Sequence, residues 1–284
     1  MITSSANPRV KQIVQWQNKA KERRKDGVFL AEGIKMFEEA PEENILEVYI
    51  SEELEHKIMG QTRRKTVEKD GVKNVDREDD MEVICEKLKQ TGYETVTSDI
   101  FAKMSDTQTP QGILTVLKRP EYHLEDLLEQ PNPLFVLLEN LQDPGNLGTI
   151  IRTGEGAGIT GVIMSNGTVD IYNPKTIRST MGSVYRVPFL YVENMQEIMQ
   201  KLHEKGVHTY AAHLKGNTYY DTFSFTEPTA FLIGNEGNGL SDGLADMAES
   251  YLKIPMEGQV ESLNAAIATA LLMYETHRQR SGEK

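Results

Sequence analysis

The pattern of apolar residues in this 284-residue chain changes near residue 134. From there onward, short and almost continuous apolar runs alternate with segments of helical periodicity. Continuous runs of this kind are typical of strands buried on both faces, and their alternation with helices is typical of a parallel sheet. The runs predict strands at 134–138, 161–164, 187–191, 207–211, 229–233 and 250–254. Residues 134–284 are therefore predicted to form an α/β domain.

The first 118 residues carry shorter and more polar elements. Asn7 and Pro8 predict the cap and the first residue of a helix that continues to residue 24. The charged stretch 60–80 lacks periodicity and predicts a surface excursion. Apolar runs predict strands at 28–31, 45–50, 93–96 and 113–117, with helices at 33–40 and 80–90. We therefore predict a small α/β domain over 1–118, followed by a proline-rich linker over 119–133 that encloses one short helix.

Composition narrows the classes of protein that fit. No apolar run approaches the roughly 20 residues that span a bilayer. Residues 1–25 are charged rather than apolar, unlike a signal peptide. Cys85 is the single cysteine, which excludes an intrachain disulfide and a metal site built from cysteines. We therefore expect a soluble, cytoplasmic protein.

The distribution of charge bears on nucleic-acid binding. The chain has 31 basic and 43 acidic residues, a net charge of −12, whereas nucleic-acid binders are usually basic. Residues 1–120 hold 20 basic and 22 acidic residues, and the remainder holds 11 and 21, so the acidic excess lies mostly in the second part. A basic cluster over 9–25 suits contact with phosphates, and a solvated helix face without a ligand is its alternative. Its members are Arg9, Lys11, Lys19, Lys21, Arg23, Arg24 and Lys25.

Three separated segments follow predicted strands and precede helical patterns. They are 143–152, 234–241 and 254–264, and each contains glycine and polar side chains. In open α/β sheets, ligands bind at the carboxyl ends of the strands, where such loops meet. The sequence therefore predicts one ligand site assembled from these three loops.

Arg152 is the candidate anion-binding residue of the first segment. Its guanidinium presents a fixed fork that suits phosphate or carboxylate. Glu155 lies three residues further along the same predicted helix. A structural ion pair between these two residues is therefore the alternative.

The second and third segments offer backbone groups and small polar side chains. Gly234 and Gly237 permit close approach of a ligand to the backbone. Glu236 disfavours a phosphate-binding loop, because its carboxylate would repel phosphate and the Lys-Ser/Thr ending of such loops is missing. In the third segment, Ser262 is the predicted N-cap of the last helix, and Asn264 is predicted to point toward the loops from inside that helix.

The glycines at 154–158 offer a competing interpretation. The sequence Gly-Glu-Gly-Ala-Gly can be read as the glycine-rich loop of a dinucleotide-binding fold, which would indicate an oxidoreductase. Such a loop should directly follow a strand. Here the strand at 134–138 is followed by the turn at 143–148, and the glycines come a helix later. We therefore favour the site formed by the three segments.

At these three segments the sequence resembles the SpoU (TrmH) family of RNA ribose 2'-O-methyltransferases. The matching residues are Asp143-Pro144-Gly145-Asn146-Leu147-Gly148, Gly234-Asn235-Glu236-Gly237-Asn238-Gly239-Leu240-Ser241, Ile254-Pro255-Met256-Glu257-Gly258 and Ser262-Leu263-Asn264. Residues 29–33 and 105–112 resemble the small L30e-like substrate-binding domain that many members carry. The resemblance implies a C-terminal α/β domain with a deep trefoil knot (the SPOUT fold) that binds S-adenosylmethionine, and a homodimer.

The resemblance also implies roles for individual residues. Catalytic roles fall on Arg152, Asn146, Glu236, Ser262 and Asn264, with Arg152 as an electrostatic clamp on a phosphate and on the developing alkoxide. Donor contacts are expected from backbone groups of Gly234, Ile254 and Leu263, and from Asn235, Gly237 and Met256. RNA contacts are expected from Arg9, Lys11, Arg23, Arg24 and Lys25, and from Lys175, Arg178 and Arg186, whose alternative is a surface helix without a ligand.

These observations predict an enzyme that transfers a methyl group to a ribose 2'-hydroxyl without a metal. The favoured substrate is 23S ribosomal RNA, because the N-terminal domain resembles that of large-subunit rRNA modifiers. A transfer RNA 2'-O-methyltransferase and a non-catalytic knotted RNA-binding protein are the alternatives. We expect dimerisation through the last helix, with core packing as the alternative role of its stripe. That stripe contains Leu263, Ala266, Ile267, Ala270, Leu271 and Tyr274. Its candidate dimer contacts are Ala266, Ala270, Leu271 and Tyr274.

Overall fold

The computed structural model describes residues 1–64 and 75–282. Its strands are β1 (Val28–Glu32), β2 (Ile45–Ser51), β3 (Glu94–Val96), β4 (Ile113–Lys118), β5 (Leu134–Leu138), β6 (Gly161–Ser165), β7 (Phe189–Val192), β8 (His208–Ala212), β9 (Thr218–Tyr219), β10 (Thr229–Ile233) and β11 (Ser250–Lys253). Its α-helices are α1 (Pro8–Asn18), α2 (Ala20–Asp26), α3 (Ile34–Glu39), α4 (Glu52–Arg64), α5 (Val75–Thr91), α6 (Ser98–Met104), α7 (Leu124–Leu128), α8 (Pro144–Ala157), α9 (Pro174–Thr180), α10 (Met195–Glu204), α11 (Asp242–Ala245) and α12 (Ala265–Arg280). Of the predicted surface excursion at 60–80, residues 65–74 lie outside the described residues.

The chain divides into two compact units. The N-terminal unit comprises Met1–Pro120 together with Tyr172–Tyr185, and the C-terminal unit comprises Glu121–Ile171 together with Arg186–Lys284. Residues 172–185 are separated from the rest of the N-terminal unit by about fifty residues of chain, so no local sequence pattern marks where they pack.

The N-terminal unit is built on a four-stranded mixed sheet in the order β1-β4-β2-β3. Strand β4 runs antiparallel to β1 and β2, and β3 runs parallel to β2. One apolar cluster includes Trp16 of α1 and Phe101 of α6, and a second includes Phe37 of α3 and Leu88 of α5. The predicted small α/β unit is present.

The predicted single helix over 7–24 is two helices. Asn7 caps α1 and Pro8 begins it, as predicted, but Lys19 adopts an extended conformation (φ −129°, ψ 104°) and separates α1 from α2. Arg23 is 4% exposed, and its guanidinium donates hydrogen bonds to the carbonyl oxygens of Trp16 and of Gln17, the latter at 3.1 Å. These carbonyls lie in the last turn of α1, where no further helical N–H groups follow. Arg23 therefore closes the end of α1, and its prediction as an RNA contact is wrong because the side chain is buried.

Replacing Arg23 by alanine is expected to lower the free energy of unfolding by about 1–3 kcal/mol, because two buried carbonyls lose their donor. Thermal denaturation measures the effect. Arg24→Ala makes the same chemical change at an exposed neighbouring position and serves as the control. Equal stability of the two variants would contradict the structural role of Arg23.

The C-terminal unit contains a seven-stranded sheet in the order β7-β6-β5-β10-β8-β11-β9. Every neighbouring pair in it is parallel, and every residue of β5, β6 and β10 is buried. The predicted parallel sheet is confirmed, with strand boundaries within two residues of those expected. Strand β9 was not predicted, because both of its residues are exposed and give no apolar run.

Candidate active site

The strand order brings the three predicted segments to one edge of the C-terminal sheet. The first segment follows β5, the second follows β10 and the third follows β11. Strand β10 pairs with β5, and β8 alone separates β10 from β11. Because these strands are parallel, their carboxyl ends and the loops that leave them lie together.

The first segment is fixed by the cap of α8. The Asp143 side chain accepts a hydrogen bond from the backbone N–H of Asn146 at 2.9 Å, and Pro144 occupies the first helical position. Such an N-cap satisfies a helical N–H group that has no partner within the helix. The turn thus holds the Asn146 side chain at the sheet edge.

Glu236 connects the second segment to the first. Its carboxylate accepts hydrogen bonds from the backbone N–H groups of Gln142 and Asp143, both at 3.0 Å, and from Nδ2 of Asn146 at 2.9 Å. Partial burial raises the pKa of this carboxyl, but the hydrogen bonds from Asn146 and from the two backbone groups outweigh that effect, so the pKa lies below its ordinary value. Glu236 is therefore a fixed anion that joins two loops.

Asn264 connects the third segment to the first. Its Nδ2 donates to Oδ1 of Asn146 at 2.9 Å, and its Oδ1 accepts from the N–H groups of Ala266 at 2.9 Å and Ile267 at 3.3 Å. Asn264 is thus the N-cap of α12, which begins at Ala265. The prediction that Ser262 caps this helix and that Asn264 lies inside it is wrong, because the helix starts later and Ser262 is exposed ahead of it. The shift produces a hydrogen-bonded line, Glu236–Asn146–Asn264, through all three loops.

The second segment forms a tight loop that uses its own polar groups. Asn235 and Gly239 exchange two backbone hydrogen bonds of 3.0 and 2.9 Å. The Asn235 side chain accepts from the N–H of Gly237 at 2.8 Å and donates to the carbonyl of Asn140 at 2.8 Å. The side-chain amide and the backbone groups of Asn235 are therefore both engaged in shaping the loop. A Cβ atom on Gly234 would lie 2.0 Å from the carbonyl carbon of Gly239, so the loop closes only with glycine there.

Arg152 lies on α8 without a protein partner in the described part of the chain. It is exposed, and no hydrogen bond or ion pair involves its side chain among residues 1–60 and 83–282, whose side chains the structure describes. Glu155, the expected alternative partner, instead binds Arg186 through both carboxylate oxygens, with Nη2 of Arg186 3.1 Å from Oε2. Arg152 and Glu155 therefore do not form the ion pair that was the alternative to an anion-binding role for Arg152. Arg186, predicted to contact RNA, is committed to Glu155.

The glycines at 154–158 have structural roles at the end of α8. A Cβ atom on Gly154 would lie 2.3 Å from Cδ1 of Ile159 and 3.6 Å from Sδ of Met273, where α8 packs against α12. Gly158 ends the helix in the left-handed conformation (φ 75°). The dinucleotide-loop interpretation is thus wrong, because these residues belong to a helix and its C-cap.

A cleft of about 490 Å³ lies beside the third segment. This volume falls within the roughly 300–1,000 Å³ typical of small-molecule sites. Met256 lines it, whereas Gly234, Ile254 and Leu263 are half-buried around the loops at the same edge of the sheet. The cleft is lined by Leu214, Tyr219, Lys253, Met256, Gly258, Val260 and Glu261.

Sequence analysis missed Leu214 and Tyr219. They lie outside every motif, in the excursion between β8 and β10, and their side chains are 60% and 49% exposed. Isolated exposed apolar residues are common on protein surfaces and give no signal in a sequence. Only the pairing of β9 with β11 brings this excursion beside the third segment.

The remaining candidate RNA contacts differ in availability. Arg9 lies 3.6 Å from the carboxylate of Glu94, and Arg178 donates to Asp106 at 2.9 Å. Lys11, Arg24 and Lys25 are exposed on α1 and α2, and Lys175 lies in the first turn of α9. The structure thus offers Lys11, Arg24 and Lys25 more readily than the two paired arginines.

The two N-terminal motifs meet around one carboxylate. Glu32 accepts hydrogen bonds from Oγ of Ser105 at 2.7 Å, from Oγ1 of Thr107 at 2.8 Å and from the N–H of Asp106 at 3.3 Å. The side chain of Gln111 accepts from the N–H of Ile34 at 2.8 Å. The loop at 105–112 is therefore fastened to the end of β1 by side-chain hydrogen bonds.

Two further properties bear on the type of site. Among the described residues, no group of three or more histidine, cysteine, aspartate or glutamate side chains is arranged to hold a metal ion. The helices in the same part of the chain are all too short or too polar to cross a membrane.

Comparison with known proteins identifies the family. Residues 133–274 match the SpoU rRNA methylase family, and residues 7–115 match the MRM3-like substrate-binding domain. The 23S rRNA (guanosine(2553)-2'-O)-methyltransferase RlmP of Bacillus subtilis is 32% identical over 275 residues, which cover 96% of this chain and 97% of that protein. The chain therefore belongs to the SpoU rRNA methylase family, as its motifs predicted.

Two further relatives support this assignment. The 23S rRNA (uridine(2479)-2'-O)-methyltransferase of Streptomyces viridochromogenes is 33% identical over 188 residues, which cover 64% of this chain and 66% of that protein. The crystal structure of an AdoMet-bound rRNA methyltransferase from Sinorhizobium meliloti superposes with a TM-score of 0.79 at 29% identity, covering 98% of this chain and 97% of the other. The fold is thus that of the family over nearly the whole chain.

Proposed function

We propose that this protein transfers a methyl group from S-adenosylmethionine to a ribose 2'-hydroxyl of 23S ribosomal RNA. The observation that carries the proposal is the hydrogen-bonded line Glu236–Asn146–Asn264, which ties three loops together through Asn146 on α8. The same helix carries Arg152, whose guanidinium has no partner among the described side chains. A fixed polar frame and a cation on one helix suit a reaction in which negative charge develops on an oxygen. The activities named for the Bacillus and Streptomyces relatives support the same reaction.

The residues at the sheet edge fit S-adenosylmethionine. The cleft combines apolar Met256 and Val260 with charged Lys253 and Glu261, which suits a flat purine and a zwitterionic amino-acid portion. Backbone groups of Gly234, Gly237, Ile254 and Leu263 would complete the donor site. The bound donor supplies a methyl group on a sulfonium, and in-line displacement requires that both reactants be held in alignment.

We assign the substrate side of the reaction to Arg152. A guanidinium is effectively always protonated, so it stabilises a developing alkoxide and an adjacent phosphate rather than removing a proton. Asn146, Glu236 and Asn264 act by fixing the loops around this cation. Ser262, exposed just before the cap of α12, is assigned to the substrate side as well.

RNA binding is assigned to the N-terminal unit together with the catalytic loops. The match of residues 7–115 to a substrate-binding domain supports this assignment, as does the exposure of Lys11, Arg24 and Lys25. Phosphate contact depends on local patches more than on net charge, so the overall acidity is compatible with it. We place the reaction in the cytoplasm, where ribosomal RNA is found in bacteria.

Methyl transfer from labelled S-adenosylmethionine to unmodified 23S rRNA transcript tests the proposed function. We expect label at one ribose, detected as resistance of the following phosphodiester to alkaline cleavage. Label in transfer RNA alone would favour the transfer RNA alternative. Binding of donor and RNA without transfer to either substrate would favour the non-catalytic alternative.

We further propose that the active form is a homodimer that contacts its partner through α12. Ile267, Leu271 and Tyr274 are 51%, 37% and 48% exposed and recur at helical spacing on one face. Ala266, expected as a contact, is 3% exposed and packs within its own chain, whereas Ile267 of the same stripe is exposed. Ala270 is half-buried beside them.

Replacing Leu271 by glutamate is expected to produce a monomer with little activity, because burying an unpaired charge in an interface costs several kcal/mol. Analytical ultracentrifugation and methyl transfer on the same sample measure both effects. Leu46→Glu introduces the same charge at an exposed leucine of β2 and serves as the control. A folded, fully active monomer would refute the need for a dimer, and an active dimer would exclude this face as the interface.

A further inference from the structure

One end of the N-terminal unit carries four basic side chains, of which Arg24 and Lys25 are candidate RNA contacts and Lys118 and Arg119 have no role in the site described above. Arg24 and Lys25 lie in the last turn of α2, and Lys118 and Arg119 lie at the end of β4. Val28, the first residue of β1, pairs with Lys118, and the N–H of Arg119 donates to the carbonyl of Gly27 at 2.9 Å. These backbone contacts bring two cationic pairs together from positions more than ninety residues apart in sequence.

Arg24, Lys25 and Lys118 are exposed and Arg119 is half-buried. Among residues 1–60 and 83–282, whose side chains the structure describes, no hydrogen bond or ion pair involves any of the four side chains, so none of them has a carboxylate partner there. Asp26, the acidic residue closest in sequence to Arg24 and Lys25, accepts a hydrogen bond from Nε1 of Trp16 at 2.8 Å.

Arg119 is held in place by an aromatic ring. The carbon at the centre of its guanidinium lies 4.5 Å from the ring centroid of Tyr172. Tyr172 is 2% exposed, and its ring also packs against the ring of Phe29 at 4.7 Å between centroids. A guanidinium stacked on a buried ring is oriented before any ligand arrives, so less entropy is lost when it binds. Unstacked RNA bases and phosphates are both recognised by such guanidinium planes.

We propose that Arg24, Lys25, Lys118 and Arg119 form an RNA-backbone binding platform on the N-terminal unit. The three exposed cations bind successive phosphates, and Arg119 binds a phosphate or stacks with a base at a single-stranded position. Arg24 and Lys25 were predicted to contact RNA as members of the basic cluster over 9–25, whereas Lys118 and Arg119 had no predicted role. This inference rests on the proposed function, because it assumes an RNA substrate.

The variant Lys118→Ala/Arg119→Ala tests the platform. We expect the Kd for unmodified 23S rRNA transcript to rise about tenfold at moderate salt, and the slope of log K against log salt to fall by about 1.5 units, since each lost phosphate contact removes about 0.7–0.9 units. The matched control is Lys89→Ala/Lys103→Ala, which removes two exposed lysines from α5 and α6 of the same unit. Circular dichroism, thermal denaturation and S-adenosylmethionine binding check that the variants are folded and that the donor site is intact.

The outcomes separate this inference from the proposed function. If the test variant and its control have the same affinity and salt slope, the platform is refuted even though the wild-type protein methylates RNA. If the wild-type protein neither binds nor methylates the transcript, the proposed function fails first. Arg119→Lys is expected to keep the salt slope and to weaken binding severalfold, because lysine keeps the charge and lacks the planar face. Wild-type affinity in Arg119→Lys would refute the stacking role of Arg119.

Discussion

Arg152→Ala is expected to lower the rate of methyl transfer by about 10²–10³-fold while leaving the Kd for S-adenosylmethionine within about twofold. Removal of one group that stabilises developing charge in an active site typically has an effect of this size. The side chain is exposed on α8 and has no partner among the described residues, so its loss leaves no protein group unpaired. The expected loss therefore lies in transition-state stabilisation rather than in folding.

Single-turnover kinetics and calorimetric titration of the donor measure the two quantities separately. Arg152→Lys keeps the charge without the fork and is expected to recover only part of the rate. Arg278→Ala removes an exposed arginine of the same unit and serves as the control. Near-normal turnover in Arg152→Ala, or donor binding weakened at least tenfold, would contradict the assigned role.

Glu236→Gln is expected to reduce turnover by about 10–100-fold and to weaken donor binding as well. One carboxylate oxygen accepts from Gln142, and the other accepts from Asp143 and Asn146. In glutamine, one of these positions becomes an NH₂ group that faces an N–H donor. An unsatisfied donor costs about 1–3 kcal/mol, and about 1.4 kcal/mol corresponds to a factor of ten. The loops would then lose the geometry on which both reactants depend.

Parallel kinetics and donor titrations of Glu236→Gln and Glu193→Gln test this expectation, because Glu193 is an exposed glutamate of the same unit. The pH dependence adds a second readout. Because the folded-state pKa of Glu236 is lowered, its stabilising contribution is complete above the unfolded value of about 4.3 and is lost only as the pH falls below that. The pH–rate profile between pH 5 and 9 should therefore have the same shape in Glu236→Gln as in the control Glu193→Gln. A limb near neutral pH that disappears in Glu236→Gln would show that this carboxyl titrates during catalysis.

The buried strands of the C-terminal sheet could be predicted because burial on both faces leaves a continuous apolar run. Strands β5 and β10 were located to the residue in this way. Strand β9 was not predicted, because only its pairing with β11 defines it and its two exposed residues form no apolar run. The break at Lys19 was not predicted either, because the apolar stripe of α1 and the basic run of α2 form one continuous helical pattern.

The partner of each charged residue depended on which residues lie close to it in the fold, not on which are close in sequence. Arg152 and Glu155 are neighbours on one helix, yet Glu155 pairs with Arg186, which lies 31 residues away. Arg23 belongs to a run of cations, yet its burial makes it the donor to the carbonyls that end α1. A sequence lists the charges that are available, but the pairs that form depend on which elements pack together.

The sequence by itself determined the class of fold, the three loops and the family, because these depend on local patterns of polarity and on residues that follow strands directly. The tertiary structure alone decided that Asn264 rather than Ser262 caps α12, and that Glu236, Asn146 and Asn264 form one hydrogen-bonded line. It also decided that residues 172–185 pack in the N-terminal unit and that Tyr172 lies beneath Arg119. Hydrogen bonds and ring contacts act over a few ångströms, so residues far apart in sequence interact only after the sheets and helices have brought them together.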